Sequence, residues 1–323
     1  MSTVFEHVES GLAPSPGNHL LAVENLKVTA GAYEAVREVS LSLPRSASLA
    51  LVGESGSGKS LTAAAIAGLL APNLTPTGSV RLEGRELIGQ PWRARRQLAG
   101  RRIGFVFQEP MSSLHPVLTV GQQIAEGLRA HFDYGRPERE ERTRELLALV
   151  GLNKGRDVSR NRIGELSGGM RQRVMIAMAI SCSPDLLIAD EPTTALDVTL
   201  QKQIIDLLLQ LREDLGLALL LITHDLGVVA ETCENAAVMY GGEIVEAAPT
   251  GVLLTSPRHA YTKALMAAVP SLGDTRPRLP TIASIAPWLR DARQLPPAER
   301  PRTALVLEAP SHWVRQTREA SHS

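Results

Sequence analysis

The chain has 323 residues, 44% of them hydrophobic, which is enough to bury a large core in one big domain with an appendage or in two modest domains. Its 34 basic residues balance 34 acidic ones, which argues against a protein that coats nucleic acid through an overall positive field. Cys182 and Cys233 lack the spacing of a disulfide framework or a zinc site, and no apolar run resembles a membrane span or a signal-peptide core, so we expect a cytosolic chain with buried, reduced thiols.

The first predicted elements are antiparallel strands, because residues 22–45 alternate apolar and polar side chains. The apolar run 46–53 then predicts a buried strand, and residues 60–70 predict a helix. The glycine-rich stretch between them fits the phosphate-binding loop G-x-x-x-x-G-K-S. Its residues are Gly53, Glu54, Ser55, Gly56, Ser57, Gly58, Lys59 and Ser60, and Leu61 follows them.

This loop has the chemistry of a triphosphate site. Glycines allow successive backbone N–H groups to converge on phosphate oxygens, and the helix that follows presents its positive end. A helix end stabilises an exposed anion by only about 0.3–1 kcal/mol, so Lys59 and a bound cation must supply the rest. Ser60 is placed to put its hydroxyl on Mg²⁺.

The middle of the chain has helical patterning. Residues 138–152 are typical of an amphipathic helix, and residues 174–180 of a buried one. A strand-like run precedes them and ends at Gln108. A second turn able to present backbone amides to an anion at a helix start comprises Ser167, Gly168 and Gly169. One chain therefore carries two candidate phosphate cradles.

Two further apolar runs, 185–191 and 217–225, predict buried strands of a mostly parallel sheet. Ligands of such sheets bind beyond the carboxyl ends of the strands, so we expect Asp190, Glu191 and His224 to gather near the glycine-rich loop. The two adjacent carboxylates repel each other, and a divalent cation would relieve that repulsion. Asp190 is the candidate magnesium ligand and Glu191 the candidate base.

The stretch ELSGGMRQRV at 165–174, together with the phosphate-binding loop, the later DEP and the final ITHD, resembles an ABC-type ATPase cassette over roughly residues 20–270. The resemblance implies an α/β fold: a P-loop NTPase core with a mostly parallel sheet, an antiparallel β subdomain and a helical insertion. It implies an N-terminal segment at 1–19, a nucleotide-binding domain at 20–255 with its helical part at about 109–180, and a small, proline-rich extension at 256–323.

Further site roles come from the same resemblance. Gln108 resembles the glutamine that contacts Mg²⁺ and the lytic water, Glu191 the residue that polarises this water, and His224 the switch histidine at the γ-phosphate. Asp197 ends the family motif after Glu191. Tyr33 is the candidate for adenine stacking, although it lies about three positions from the usual place and a strand-surface tyrosine is the alternative.

The resemblance also implies a head-to-tail dimer in which Ser167, Gly168 and Gly169 close over the ATP of a second cassette. Segments at 107–128, 166–180 and 256–272 resemble the subgroup that energises uptake of oligopeptides, dipeptides, nickel and related solutes. His115 departs from the subgroup's usual asparagine. Residues 273–323 contain no cysteine, so we expect no iron–sulfur cluster there, and Trp288 and Trp313 are expected to anchor this tail.

Such an importer subunit implies partners that this sequence does not contain. We expect two membrane permease subunits, an external solute-binding protein and a second ATPase subunit, with a heterodimer favoured and a homodimer as the alternative, at the cytoplasmic face of the plasma membrane. Peptide, nickel, metal chelate and opine stay open as solutes. A soluble ABC ATPase of DNA maintenance or translation is the rival, disfavoured by the single cassette and the absence of a coiled-coil insertion and of a net positive charge. A non-catalytic subunit is disfavoured by intact Lys59, Glu191 and His224.

Overall fold

The computed structural model describes residues 19–153, 157–194, 196–268, 305–309 and 311–316. In chain order the strands are β1 (His19–Ala30), β2 (Tyr33–Pro44), β3 (Ser48–Val52), β4 (Thr75–Leu82), β5 (Arg85–Glu86), β6 (Ile103–Val106), β7 (Leu186–Asp190), β8 (Ala218–Thr223), β9 (Asn235–Tyr240), β10 (Glu243–Pro249), β11 (Leu305–Ala309) and β12 (His312–Arg315). The helices are α1 (Lys59–Ala67), α2 (Trp92–Leu98), α3 (Pro110–Ser113), α4 (Val120–His131), α5 (Arg136–Leu149), α6 (Gly168–Ile180), α7 (Val198–Leu215), α8 (Leu226–Thr232), α9 (Thr250–Thr255) and α10 (Ala260–Ala268).

The chain forms two compact units, one from the segments up to residue 43, 49–88 and 223 onward, the other from 44–48 and 89–222. The segments predicted at 20–255 and 256–323 cut across these units, and that division stays a prediction. The N-terminal segment predicted at 1–19 lies outside the described residues except for His19.

The first unit contains an antiparallel sheet in the order β2-β1-β4-β5. Only two residues join β1 to β2, so these strands form a hairpin, as the alternation in residues 22–45 predicts. Strand β1 pairs with β4 so that Leu21 faces Leu82 and Val23 faces Val80, and all four side chains are buried. The buried face of this sheet is thus one part of the hydrophobic core.

A second group of strands in the first unit begins with β3, which runs parallel to β9. Three antiparallel pairs follow: β9 pairs with β10, β10 with β12, and β12 with β11. All five residues of β3 are buried, as a continuous apolar run predicts. The last residue of β3, Val52, leads directly into the glycine-rich loop and α1.

Helix α1 ends earlier than the predicted residue 70. Gly68 takes a left-handed conformation with φ 70°, and its N–H caps the carbonyls of Ala64 and Ala65. Glycine adopts this conformation at little steric cost, which makes it the usual residue at a helix C-terminus.

The second unit is built on the parallel strands β6, β7 and β8, in that order. All residues of β7 and β8 are buried, and both strands lie within the predicted runs. Helices α5 and α6 occupy the two predicted helical patterns, and the 174–180 part of α6 is mostly buried. The capping box of Thr119 and Gln122 fixes the start of α4.

Cys182 and Cys233 are buried free thiols, as expected. Burial raises the pKa of the Cys182 thiol. Within the described ranges, no helix is both long enough and apolar enough to cross a membrane.

Candidate functional site

The glycine-rich loop turns sharply between β3 and α1. Gly53, Gly56 and Gly58 have φ values of 151°, 76° and 103°, which side chains disfavour. A Cβ on Gly53 would overlap the backbone carbonyl of Met239, and one on Gly58 would lie 2.8 Å from that residue's Cε. The backbone of β9 therefore approaches the loop too closely for any residue but glycine.

Lys59 is buried and its ammonium lies within the curl of the loop. Its Nζ donates to the carbonyl oxygens of Gly53 and Glu54, each at 2.8 Å, and lies 3.5 Å from Oγ of Ser57. The backbone N–H of Ser57 also donates to the Glu54 carbonyl, at 3.2 Å. The ammonium of Lys59 thus holds the first residues of the loop in a curved conformation, and a phosphate cradle requires such a curve.

The outer residues of the loop are exposed where a nucleotide would approach. Ser55, Gly56 and Ser60 are exposed, and Ser60 lies at the start of α1, followed by half-buried Leu61. The N-terminus of α1 carries no acidic residue in its first turn, so its positive end is not compensated there.

In the second unit, Glu191 follows the end of β7 and is held by two donors. Nε2 of Gln108 and Oγ1 of Thr194 each donate to Oε2 of Glu191 at 2.9 Å. The Glu191 backbone has φ 46°, a left-handed conformation that is costly for a residue other than glycine, and its N–H donates to the carbonyl of Ile222 at 2.9 Å. These hydrogen bonds hold the carboxylate in position, which is what a catalytic base needs.

Asp190 is the last residue of β7, and only 7% of it is exposed. Among the residues the structure describes, no group of three or more His, Cys, Asp or Glu side chains could hold a metal by itself. The candidate ligands Ser60, Gln108 and Asp190 instead offer a hydroxyl, an amide and a carboxylate oxygen. Oxygen donors in small number suit a Mg²⁺ that takes its other ligands from phosphate and water.

His224 follows β8 and is exposed, in the first unit with the glycine-rich loop. Hydrogen bonds hold the turn around it. The N–H of Asp225 donates to Oγ1 of Thr223, and Oδ1 of Asp225 accepts from the N–H groups of Gly227 and Val228 at the start of α8. The backbone on both sides of the histidine is thus held while its ring faces solvent.

The second predicted cradle begins α6. Oγ of Ser167 accepts from the N–H of Met170, which makes Ser167 the N-cap. Ser167 and Gly168 are exposed, whereas Gly169 is buried against Leu200 of α7. The helix N-terminus is therefore open to a ligand from outside the chain.

Two other predicted residues are also exposed. Asp197 is the N-cap of α7, and its Oδ1 accepts from the N–H of Leu200 at 3.0 Å. Tyr33 starts β2, and 58% of it is exposed. This exposure suits base stacking and a strand-surface tyrosine equally, so its role stays a prediction.

The structure brings Gln108 and Glu191 together, and it places Lys59 inside its own loop. Gly53 and His224 belong to the first unit and Asp190 and Glu191 to the second, so their predicted gathering stays a prediction. Sequence reasoning missed Thr194, although a hydroxyl three residues after a turn-forming acid is a recognisable signal. It also missed Tyr261, whose hydroxyl accepts from the N–H of Glu54 across 207 positions.

Comparisons with known proteins indicate the family of this chain. A family model described as ABC transporter matches residues 36–194, and one described as oligopeptide/dipeptide transporter, C-terminal region, matches residues 245–297. The probable peptide ABC transporter ATP-binding protein y4tR of Sinorhizobium fredii is 50% identical over 246 residues, 75% of this chain and 73% of that protein. The oligopeptide transport ATP-binding protein OppD of Lactococcus lactis subsp. cremoris is 46% identical over 264 residues, 81% of this chain and 78% of that protein.

Among solved structures, a dimeric post-hydrolysis state of the ATP-binding cassette MJ0796 bound to ADP and Pi matches with a TM-score of 0.64. Its sequence is 28% identical, and the match covers 71% of this chain and 98% of that one. The mixed α/β fold predicted from the sequence is thus confirmed.

Proposed function

Because this chain belongs to the ABC transporter family as an ATP-hydrolysing importer subunit, we propose that it powers the uptake of peptides or a related small solute. The observation that carries the chemical part is the carboxylate of Glu191, held by Gln108 and Thr194 just after a buried strand. The names of the relatives support the peptide part.

ATP binds first through its phosphates. The N–H groups of residues 55–60 and the ammonium of Lys59 surround the β- and γ-phosphates, and the α1 N-terminus adds its partial positive charge. Ser60, Gln108 and Asp190 would hold a Mg²⁺, which would supply positive charge to neutralise the charge that develops on the phosphates.

Glu191 then accepts a proton from the water that attacks the γ-phosphate, the bond from the γ-phosphorus to the oxygen shared with the β-phosphate breaks, and ADP and phosphate leave. Gln108 and Thr194 both donate to the same oxygen, Oε2, so the carboxylate is held in place before the water arrives. Gln108 adds an amide beside this water, and His224 contacts the γ-phosphate. A positioned base of this kind contributes a factor of about 10²–10⁴ to the rate.

The exposed start of α6 acts on a second cassette. Ser167 and Gly168 close over ATP held by the partner, and Asp197 is a further candidate nucleotide-binding residue. The dimeric state of the matched cassette supports this arrangement. We favour a heterodimer with a different ATPase chain, with a homodimer as the alternative.

The remaining partners are two membrane permease subunits and an external solute-binding protein, with the chain bound peripherally at the cytoplasmic face of the plasma membrane. The transport names of the relatives favour this reading over a soluble ATPase of DNA maintenance or translation.

The experiment is to purify the chain with its bound partners, reconstitute them into proteoliposomes, and identify the solute captured by the receptor by mass spectrometry. We expect permeases to copurify and short peptides to enter the vesicles only with ATP. Nucleic acid or ribosomal proteins in place of permeases would refute the importer assignment, and a captured nickel complex or opine would replace the peptide.

A further inference from the structure

Tyr261 joins the segment after the cassette strands to the phosphate-binding loop. Its side chain is fully buried, and its ring lies 4.3 Å from that of Tyr240, the last residue of β9. Its hydroxyl accepts from the backbone N–H of Glu54 at 3.0 Å. A residue of α10 thus reaches the second position of the loop.

This bond and a bond from Lys59 hold the two ends of one peptide group. The peptide between Gly53 and Glu54 offers its carbonyl to Nζ of Lys59 at 2.8 Å and its N–H to the tyrosine hydroxyl. The pair fixes the plane of that peptide, and with it the place where the loop turns away from β3. Without the hydroxyl, the peptide could rotate and the ammonium would lose one of its anchors.

The helix that carries Tyr261 is itself tied down from within the protein. Nδ1 of His259 accepts from the N–H of Tyr261 at 3.1 Å, just before α10. Glu246 of β10, which has no exposed surface, accepts from the N–H groups of Arg258 and His259 at 2.8 and 3.0 Å. A buried carboxylate is tolerated only when it is satisfied by such donors.

The third donor to Glu246 comes from the last described strand. Nε2 of His312 lies 2.6 Å from Oε1 of Glu246, and His312 is 1% exposed. The same strand, β12, pairs with β10 so that Val314 faces Glu246, and Glu308 of β11 binds Arg258 at 3.0 Å. The hairpin of β11 and β12 therefore closes over the carboxylate that anchors the start of α10.

Given the ATP-binding role proposed for the loop, we propose that Tyr261 is a positioning residue for nucleotide binding, held by Glu246 and the C-terminal hairpin through His312. The hairpin is thus part of the support of the phosphate site. The hairpin and Tyr261 act on the phosphate site through the backbone of Glu54.

The test introduces Tyr261→Phe, which keeps the ring and removes the hydroxyl, into the full-length chain assembled with its partners. We expect the Kd for a fluorescent, slowly hydrolysed ATP analogue and the KM for ATP each to rise about fivefold, as for the loss of one hydrogen bond, with kcat changed by less than about twofold. The matched control is Thr262→Val on the same helix, because the buried Thr262 hydroxyl has no hydrogen-bond partner within the described structure. This variant should bind ATP like the wild type.

Amide hydrogen exchange without nucleotide reads the loop directly. We expect faster exchange in peptides covering residues 53–61 for Tyr261→Phe and for His312→Ala, and near wild-type exchange for His312→Gln, whose amide can still donate to Glu246. Unchanged exchange and unchanged KM in Tyr261→Phe would overturn the role of Tyr261. Faster exchange confined to residues 305–316 in His312→Ala would overturn the role of the hairpin. A wild-type chain that fails to bind ATP would instead contradict the proposed function. The exchange experiment uses no nucleotide, so it would still test whether Tyr261 holds the loop.

Discussion

At the scale of single residues, a substitution of Glu191 should lower the rate of ATP hydrolysis without weakening ATP binding. Glu191→Gln keeps the shape of the side chain and its contact with Thr194 but removes the basic oxygen. We expect ATP affinity within about twofold of wild type and a kcat lower by a factor of about 10²–10⁴ in the assembled transporter. Steady-state ATPase and analogue-binding assays measure both quantities, and unchanged turnover would refute the role of this carboxylate.

Gly53 and Gly56 should respond differently to alanine, although both have positive φ. At Gly53 the new Cβ would collide with the backbone of Met239, so the backbone must move and stability should fall by about 2–4 kcal/mol. At Gly56 no atom lies within 4 Å, so only the left-handed conformation costs energy, about 1 kcal/mol. Urea unfolding of the two variants measures the difference, and equal losses would contradict the close approach of β9.

His259 should make the stability of the protein depend on pH. Burial lowers its pKa from 6.5 to about 4; nearby Glu246 opposes this shift, whereas Arg315 and Lys263 add to it. Because the unfolded chain takes up the proton first, this contribution is complete above pH 6.5 and is lost as the pH falls toward 4. We expect a loss of roughly 1 kcal/mol between about pH 7.5 and about pH 5.5.

The control is His259→Asn, whose side-chain oxygen can accept the N–H of Tyr261 without titrating. Urea unfolding at both pH values should show a smaller loss in this variant. An identical pH dependence in the two proteins would exclude His259 as its source.

The local sequence pattern was enough to predict the position of residues whose surroundings come from their sequence neighbours. Lys59 lies in the loop that its own motif defines, and Glu191 ends an apolar run that can only be a buried strand. The hydrogen bond between Gln108 and Glu191 was not predicted, because 83 positions separate the two residues and the family resemblance gave only a separate role for each. Tyr261 was missed because the partner of a buried hydroxyl 207 positions away leaves no trace in local composition.

At the scale of elements, α6 presents its N-terminus to solvent and has no acidic residue in its first turn. Gly168→Asp should therefore stabilise the chain by about 0.3–1 kcal/mol through the helix dipole. A Cβ at Gly168 meets only Cδ2 of Leu196, at 3.8 Å, so no clash opposes this. The same carboxylate should repel a partner's triphosphate and strongly reduce ATP turnover of the dimer.

Thermal unfolding and ATPase assays should thus move in opposite directions for Gly168→Asp. Gly168→Ala supplies the Cβ without the charge and should retain most of the turnover. Wild-type ATPase in Gly168→Asp would show that no phosphate approaches this helix.

The existence of the strands was predictable, but their ends were not. Runs at 46–53, 185–191 and 217–225 shorten to β3, β7 and β8, because flanking residues such as Gly53 and Glu191 leave extended backbone for turns with positive φ. The β11–β12 hairpin was not foreseen in the proline-rich extension. Its pairing with β10 depends on Glu246 and His312, which local propensity does not connect.

At the scale of the whole molecule, the family could be predicted because short motifs carry it, whereas the two phosphate cradles stay a prediction. Trp288, expected to anchor the tail, lies outside the described residues, whereas Trp313 is half-buried in β12. The sequence of this chain alone does not predict which second ATPase chain completes each site, because the choice also depends on the surface of that second chain.

In the proposed dimer, each composite site takes its base from one chain and its α6 N-terminus from the other, so Glu191→Gln and Gly168→Asp damage different sites of the same dimer. In a homodimer, mixing the two variants would rebuild one intact site in every mixed pair, and ATPase would partly recover. In a heterodimer each complex holds one copy of this chain, and mixing recovers nothing. We expect no recovery, measured as ATPase of coexpressed variants carrying different affinity tags and purified through both; recovery there would identify the homodimer.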